Sequence, residues 1–224
     1  VVTNGKRLCV LLLTYNRLAY ANATLRSTLA QIKWDGYVGV HIASDGDTDE
    51  YIEDLKATCA EFNTMPHVSN SQREGYGANY NLATQTVHTW ADYVLVLEDD
   101  WELTRELDAN IFIGALDELG AGCMRLGYLG FTQPLRGELV ASYGRIWLRF
   151  DPASPEPHVF AGHPRLETVA WERSVGPWPE GLEPGQTEFA VSHIAESRHG
   201  VIWPMQEVKP YGDLFVHIGA ERSW

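Results

Sequence analysis

Cysteine is scarce in this chain of 224 residues. Cys9, Cys59 and Cys123 are odd in number and far apart, which excludes a disulfide frame and a zinc knuckle. They read as small buried hydrophobes in a reducing compartment, so a cytoplasmic location is expected. Basic residues are also short: seventeen against thirty acids, a net charge of −13. Such a surface repels phosphate backbones, and general nucleic-acid binding is not expected. Long apolar runs are missing. The longest, Leu8 to Leu13, is far below the roughly 20 residues a bilayer requires, so no membrane span is expected. Nothing at the start reads as a secretory signal, and no repeat or low-complexity segment occurs. A hydrophobic fraction of 45% with 21% charged residues excludes disorder, collagen and coiled coil.

What is present is an alternation of short apolar runs and helical patterns. Leu8–Leu13, Val38–Ala43 and Tyr93–Leu97 read as buried strands of the kind found in parallel sheets. Between them, Leu18, Leu25, Leu29 and Ile32 keep a helical period, as do Tyr51, Ile52, Leu55, Cys59 and Phe62. Asp47 with Glu50 three residues on marks a helix start, with Asp47 or Thr48 as the cap. A third helix carries Leu82, Ala83, Val87 and Trp90, and a fourth is expected after the third strand, through Leu103, Leu107, Ile111 and Leu119. Strand–helix alternation implies an α/β fold with a mostly parallel central sheet flanked by helices. Beyond residue 120 the strands shorten (Arg125–Phe131, Arg145–Phe150), and Arg136-Gly137 reads as a turn between antiparallel strands. One domain over 1–224 is expected, with a nucleotide-type half (1–105) and a mixed second half (106–224).

Each apolar strand runs into a polar cluster: Thr14-Tyr15-Asn16-Arg17, Ser44-Asp45-Gly46-Asp47, and Glu98-Asp99-Asp100. Ligands of open parallel sheets bind outside the carboxyl ends of the strands, so the three clusters should face one crevice. Bunched carboxylates repel one another, and a divalent cation relieves that repulsion. Mg²⁺ and Mn²⁺ sit on one or two carboxylates plus substrate phosphates, which suits a nucleoside diphosphate. The same acids equally suit a solvated helix N-terminus. Asp45-Gly46-Asp47-Thr48-Asp49 is no EF-hand, because Glu50 stands where Gly is needed and Lys56 where Glu is needed. Gly75-Tyr76-Gly77 lacks a third glycine in register and is no dinucleotide fingerprint.

Taken in order, these segments resemble the family 2 glycosyltransferases of the GT-A (Rossmann-like) fold. Leu13-Thr14-Tyr15-Asn16-Arg17 is similar to the family's opening strand end, and Ser44 to Asp49 to its acidic-glycine segment. Gly75 to Asn81 resembles the loop-helix before the metal motif, and Leu97-Glu98-Asp99-Asp100 takes the place of Asp-x-Asp, with Glu98 for the usual first Asp. The segments Trp178–Gly181 and Gln186–Phe189 resemble the acceptor-side stretch that carries the catalytic acid, with Glu188-Phe189 where Glu-Asp is common. Phe215-Val216-His217-Ile218-Gly219 is similar to the C-terminal histidine motif.

The resemblance implies a transferase moving sugar from a UDP- or GDP-linked donor to an acceptor hydroxyl, with inversion. It places Mn²⁺ or Mg²⁺ on Asp100 and His217. The nucleotide-sugar falls to Thr14, Tyr15, Asn16, Asp45, Arg73, Glu98 and Asp99. Glu188 is implied as catalytic base, with Glu183 and Asp213 in reserve. Trp101, Trp147, Trp178 and Trp203 are candidates for stacking on sugar rings. The acceptor class is open: glycan, protein, small molecule or modified nucleobase. Rival readings are a non-catalytic metal-dependent carbohydrate- or nucleotide-binding protein, and a nucleotidyltransferase. The latter is expected to carry a glycine-rich loop after the first strand, which this chain lacks.

Overall fold

The computed structural model describes residues 5–129, 136–151, 162, 164–197, 200–205 and 213–219. A nine-stranded sheet runs through them in the order β4 (His67–Asn70), β3 (Tyr37–Ser44), β1 (Arg7–Thr14), β5 (Tyr93–Glu98), β11 (Arg165–Thr168), β8 (Cys123–Arg125), β12 (Val201–Pro204), β10 (Arg145–Phe150), β9 (Gly137–Ser142). Its first half consists of β1 (Arg7–Thr14), β3 (Tyr37–Ser44), β4 (His67–Asn70) and β5 (Tyr93–Glu98), all parallel. Leu8 through Leu12 in β1 have no exposed surface, which is why the run is continuously apolar rather than alternating. Fully burying each such side chain stabilises the fold by about 1.5–3 kcal/mol. The crossovers are α1 (Leu18–Gln31), α2 (Asp49–Ala60) and α3 (Tyr76–Val87). Thr48 caps α2, its hydroxyl accepting from the Tyr51 N–H, while Asp47 is turned to other work.

From β1 the chain steps outward to β3 and β4, then returns to place β5 on the other side of β1. The reversal makes β1/β5 the switch point, where a crevice opens at the strands' carboxyl ends. One short strand here was not foreseen. β4 (HVSN) is an edge strand in a polar stretch, with no alternation to mark it.

The expected fourth helix is corrected in its first turns. After the acidic triplet the chain forms β6 (Trp101–Leu103) and β7 (Leu107–Asp108), and α4 begins only at Ala109, ending at Leu119. β6 pairs antiparallel with β13 (Phe215–His217), and β7 pairs with β2 (Ile32–Lys33), so long-range partners override the helical spacing of Leu103 and Leu107. Asp108 caps α4 and Gly120 closes it at φ 60°.

The second half of the sheet is mixed: β8 (Cys123–Arg125), β9 (Gly137–Ser142), β10 (Arg145–Phe150), β11 (Arg165–Thr168) and β12 (Val201–Pro204), with α5 (Val169–Val175) and α6 (Pro184–Ser197). The β9–β10 hairpin turns at Tyr143-Gly144, both at positive φ, rather than at Arg136-Gly137, where β9 starts. Of the strand expected over Arg125–Phe131, only Arg125 lies in β8, and residues 130–135 fall outside the described set. All three cysteines are free and buried. Among the described residues no helix is long and apolar enough to cross a membrane.

Candidate active site

The end of β1 is tied to the end of β5. Thr14 Oγ1 donates to Asp99 Oδ2 at 3.0 Å and the Tyr15 N–H donates to the same oxygen at 3.2 Å. The Tyr51 hydroxyl reaches across from α2 to Thr14. Asn16 takes a left-handed φ of 52°, and its N–H donates to Asp47 Oδ1 at 2.7 Å. Ser44 Oγ donates to the other Asp47 oxygen at 2.7 Å, so Asp47 laces the ends of β1 and β3 together. Arg17 then turns inward. Its Nη2 lies 2.6 Å from Asp100 Oδ2 and its Nη1 3.3 Å from Asp99 Oδ1.

The acidic triplet is no solvated helix start. Asp99 and Asp100 are 5% and 6% exposed, and they form a turn between two strands. Thr24 of α1 fixes that turn: its hydroxyl donates to the Asp99 carbonyl at 2.8 Å and accepts from the Trp101 N–H at 3.1 Å. Burial pushes the Asp99 carboxyl up to about 7, against the pull of the Arg17 charge. The β6–β13 pairing sets His217 beside Trp101, and the Ile218 N–H donates to the Asp100 carbonyl at 2.8 Å. His217 Nε2 therefore stands 3.0 Å from Asp100 Oδ2, although the two residues are 117 positions apart.

A second carboxylate pair lies alongside. Glu98, at the end of β5, is driven well above the usual carboxylate range by burial first, then by the charges of Glu188 and Asp100. Glu188 projects from α6 and accepts the Gly162 N–H. Gly162 has no room for a side chain: a Cβ there would lie 2.6 Å from Glu188 Oε1, 2.9 Å from Glu98 Oε1 and 2.9 Å from the Tyr76 hydroxyl. Burial raises the Tyr76 phenol, so it stays neutral. Behind it the fully buried Arg165 guanidinium sits 5.3 Å from the Tyr80 ring and 4.8 Å from the Trp178 ring, paired with Glu167.

The third component is the loop before α3. Asp45 Oδ1 accepts from Ser71 Oγ at 2.5 Å and from the Glu74 N–H at 2.9 Å, and Oδ2 from the Gly75 N–H at 3.1 Å. Arg73, at φ 61°, places its guanidinium 4.8 Å from the centre of the Tyr15 ring. Arg73 and Tyr15 thus share one wall of the crevice.

Thr14, Tyr15, Asn16, Asp99, Asp100 and His217 gather about the ends of β1 and β5, Glu98 and Glu188 meet around Gly162, and Arg73 lies against Tyr15 on the loop that Asp45 anchors. The reserves stand differently. The Glu183 carbonyl accepts the N–H groups of Gln186 and Thr187 at the start of α6, and Asp213 is exposed two residues ahead of β13. The four tryptophans considered for sugar stacking are core residues instead, each no more than 3% exposed. His193 is exposed on α6, whereas His158, His163 and His199 fall outside the described residues. Sequence reasoning assigned no role to Arg17, Thr24, Tyr51 or Gly162. Arg17 stands four residues past the end of the Leu8–Leu13 run, and that spacing alone does not say where its guanidinium points.

The residues present fit a divalent cation. Asp100 Oδ2 and His217 Nε2 are hard and borderline donors converging on one point, and Gly219 keeps that point clear of side chain. A Cβ on Gly219 would lie 2.3 Å from Asp100 Oδ2 and 2.2 Å from Arg17 Nη2. Among the described residues no three His, Cys, Asp or Glu side chains cluster as a complete metal cage. Two protein donors, with the rest from phosphate and water, is the mode expected for Mg²⁺ or Mn²⁺ on a diphosphate.

The parallel half-sheet, the switch-point crevice and the acidic strand end define an α/β protein of the GT-A class. The glycosyl transferase family 2 model matches residues 9–130, more than half of the chain, and the chain belongs to that family. No curated protein matches by sequence. Among solved structures, the chain is similar to Staphylococcus aureus TarS 1–349, at 15% identity and a TM-score of 0.68, covering 90% of this chain and 59% of that one. GalNAc-T7 with UDP, GalNAc and Mn²⁺ gives 14% identity and a TM-score of 0.71, covering 99% and 45%. The mannosyltransferase PcManGT of Pyrobaculum calidifontis, in complex with GDP-Man and Mn²⁺, gives 14% and 0.61, covering 99% and 59%. The chain therefore spans about half to three-fifths of the length of these structures.

Proposed function

We propose that this protein transfers a sugar from a UDP- or GDP-linked donor to an acceptor hydroxyl, with inversion at the anomeric carbon and dependence on Mn²⁺ or Mg²⁺. The observation that carries the reading is the meeting of Asp100 with His217 at the tip of β5, beside the β1/β5 crevice. Solved neighbours supply the donor class: TarS was solved with UDP-GlcNAc, and PcManGT with GDP-Man and Mn²⁺.

Asp100 and His217 would hold the cation, which when bound stabilises negative charge developing on the leaving diphosphate. Tyr15 and Arg73 offer a ring face and a cation at the nucleoside end of the crevice. Asp45 does not need to touch the nucleotide to matter. By capping the Glu74 and Gly75 N–H groups it fixes the loop that presents Arg73.

Glu188 serves as the base that takes the acceptor's hydroxyl proton, and the Gly162 N–H fixes its carboxylate. Glu98 beside it is held toward its neutral form by burial and by the neighbouring carboxylates. Tyr76 and Arg165 form the wall behind both and keep water from that side.

The test is incubation with Mn²⁺ and a panel of UDP- and GDP-sugars without acceptor. A transferase slowly releases free nucleoside diphosphate from its own donor. Absence of release across the panel, with tight nucleotide binding retained, identifies a binding protein instead.

A further inference from the structure

We propose that Arg17 is an internal counter-ion that occupies Asp100 in competition with the divalent cation, and that nucleoside diphosphate relieves the competition by giving the guanidinium a new partner. The inference rests on the metal-dependent reading above and adds a device to it.

Arg17 forks across the acidic pair, Nη2 at 2.6 Å from Asp100 Oδ2 and Nη1 at 3.3 Å from Asp99 Oδ1. The oxygen it holds is the same one that faces His217 Nε2 at 3.0 Å. A cation drawn into the space between that oxygen and the histidine would lie against the Arg17 charge, and two positive groups on one carboxylate oxygen repel each other and share its charge. The pair is largely shielded from water, with side-chain exposures of 14% for Arg17, 7% for Asp99 and 8% for Asp100. Solvent screening is weak there, and either carboxylate left unpaired is costly. Without Arg17 the strand end holds two buried carboxylates that no other Lys or Arg among the described residues pairs with.

Two further observations mark the arrangement as a holding state. Arg17 Nε is buried and lacks a hydrogen-bond partner, so the guanidinium leaves one donor unused in this position. Gly219 closes over the contact so tightly that a Cβ would lie 2.2 Å from Arg17 Nη2. A guanidinium freed from Asp100 is suited to bidentate contact with a phosphate. Cation and diphosphate then bind cooperatively, because each removes what opposes the other: the cation takes Asp100, the diphosphate takes Arg17.

The experiment is calorimetric titration of Mn²⁺ into the wild-type chain, Arg17→Gln, Arg17→Lys and the Arg17→Gln/Asp100→Asn pair, each with and without UDP or GDP. In the wild type, nucleotide is expected to tighten Mn²⁺ binding. In Arg17→Gln, nucleotide-free Mn²⁺ binding is expected to tighten by about tenfold and the nucleotide-induced gain to shrink by a similar factor, within the range usual for coupled sites. Arg17→Lys keeps the charge and loses the fork, so it should fall between the two, and it carries the comparison if Arg17→Gln does not fold. Equal or weaker nucleotide-free affinity in both variants overturns the competition while leaving the metal site standing. Tightening that survives Asp100→Asn comes from elsewhere and also overturns it. A wild-type chain that takes up no Mn²⁺ even with UDP and GDP present removes the metal reading itself.

Discussion

At the scale of single residues, the proposed mechanism gives Asp100 and Glu188 different work, and their variants should fail differently. Asp100→Ala removes one of the two proposed donors to the cation and is expected to lower transfer by about a hundredfold or more, near 3 kcal/mol of barrier. Circular dichroism should show the fold retained. Unchanged turnover with unchanged metal dependence would remove Asp100 from the metal site. Glu188→Gln keeps the shape and the oxygen that accepts the Gly162 N–H, so donor affinity should stay at the parent value. Its turnover should fall by roughly 10²–10⁴, the usual contribution of a positioned base. A variant that transfers at the parent rate moves the base elsewhere. Glu188 and His217 were legible in the sequence only through their surrounding motifs. Arg17 was in plain view, but nothing in its spacing says that α1 would turn its guanidinium onto the acidic pair.

At the scale of elements, β3 carries a titratable group that function does not use. His41 is fully buried, its Nε2 3.0 Å from Ser69 Oγ on β4, with the His67 ring stacked at 6.4 Å. Burial first, then the nearby His67 charge, lowers its pKa to about 4 from an ordinary value of 6.5. A histidine whose folded pKa is depressed binds its proton more readily when unfolded, so stability is lost as pH falls from about 6.5 and levels off near 4. The shift corresponds to about 3 kcal/mol at 1.36 kcal/mol per unit. His41→Gln should show a shallower loss of stability across that window in urea titrations at pH 7, 5.5 and 4. Parallel pH dependence in the two proteins removes His41 as the cause. A second element contact is set by glycine. On α3, a Cβ at Gly77 would lie 2.1 Å from the Pro179 carbonyl oxygen, a backbone atom that cannot swing aside. Gly77→Ala should therefore destabilise by about 2 kcal/mol through overpacking, read as a lower urea midpoint at unchanged slope.

The elements that sequence reading found are those whose own residues decide the matter. β1 and β5 are buried on both faces and say so in unbroken apolar runs, and the run in β3 is interrupted by His41. The missed or mistaken elements depend on partners far along the chain. β6 looked helical because Leu103 and Leu107 stand four apart, yet its partner is residues 215–217. β4 completes an edge and buries little, so its four residues carry no pattern.

At the scale of the whole molecule, the proposed site draws on β1, β3, β5, β13, α1 and α6, so a ligand bound there ties residues 14–17 to residues 215–219. A ligand bound only by the folded chain adds RT ln(1 + [L]/Kd) to stability, about 2.7 kcal/mol at a hundredfold excess over Kd. Saturating Mn²⁺ with UDP or GDP should thus raise the melting temperature by several degrees, while either component alone should do less. In Asp100→Ala the combined shift should collapse to that of nucleotide alone, because the cation no longer links β5 to β13 through the phosphates. A full shift retained in that variant would place the nucleotide outside the β1/β5 crevice, since a site elsewhere on the sheet has no reason to sense a carboxylate at the tip of β5.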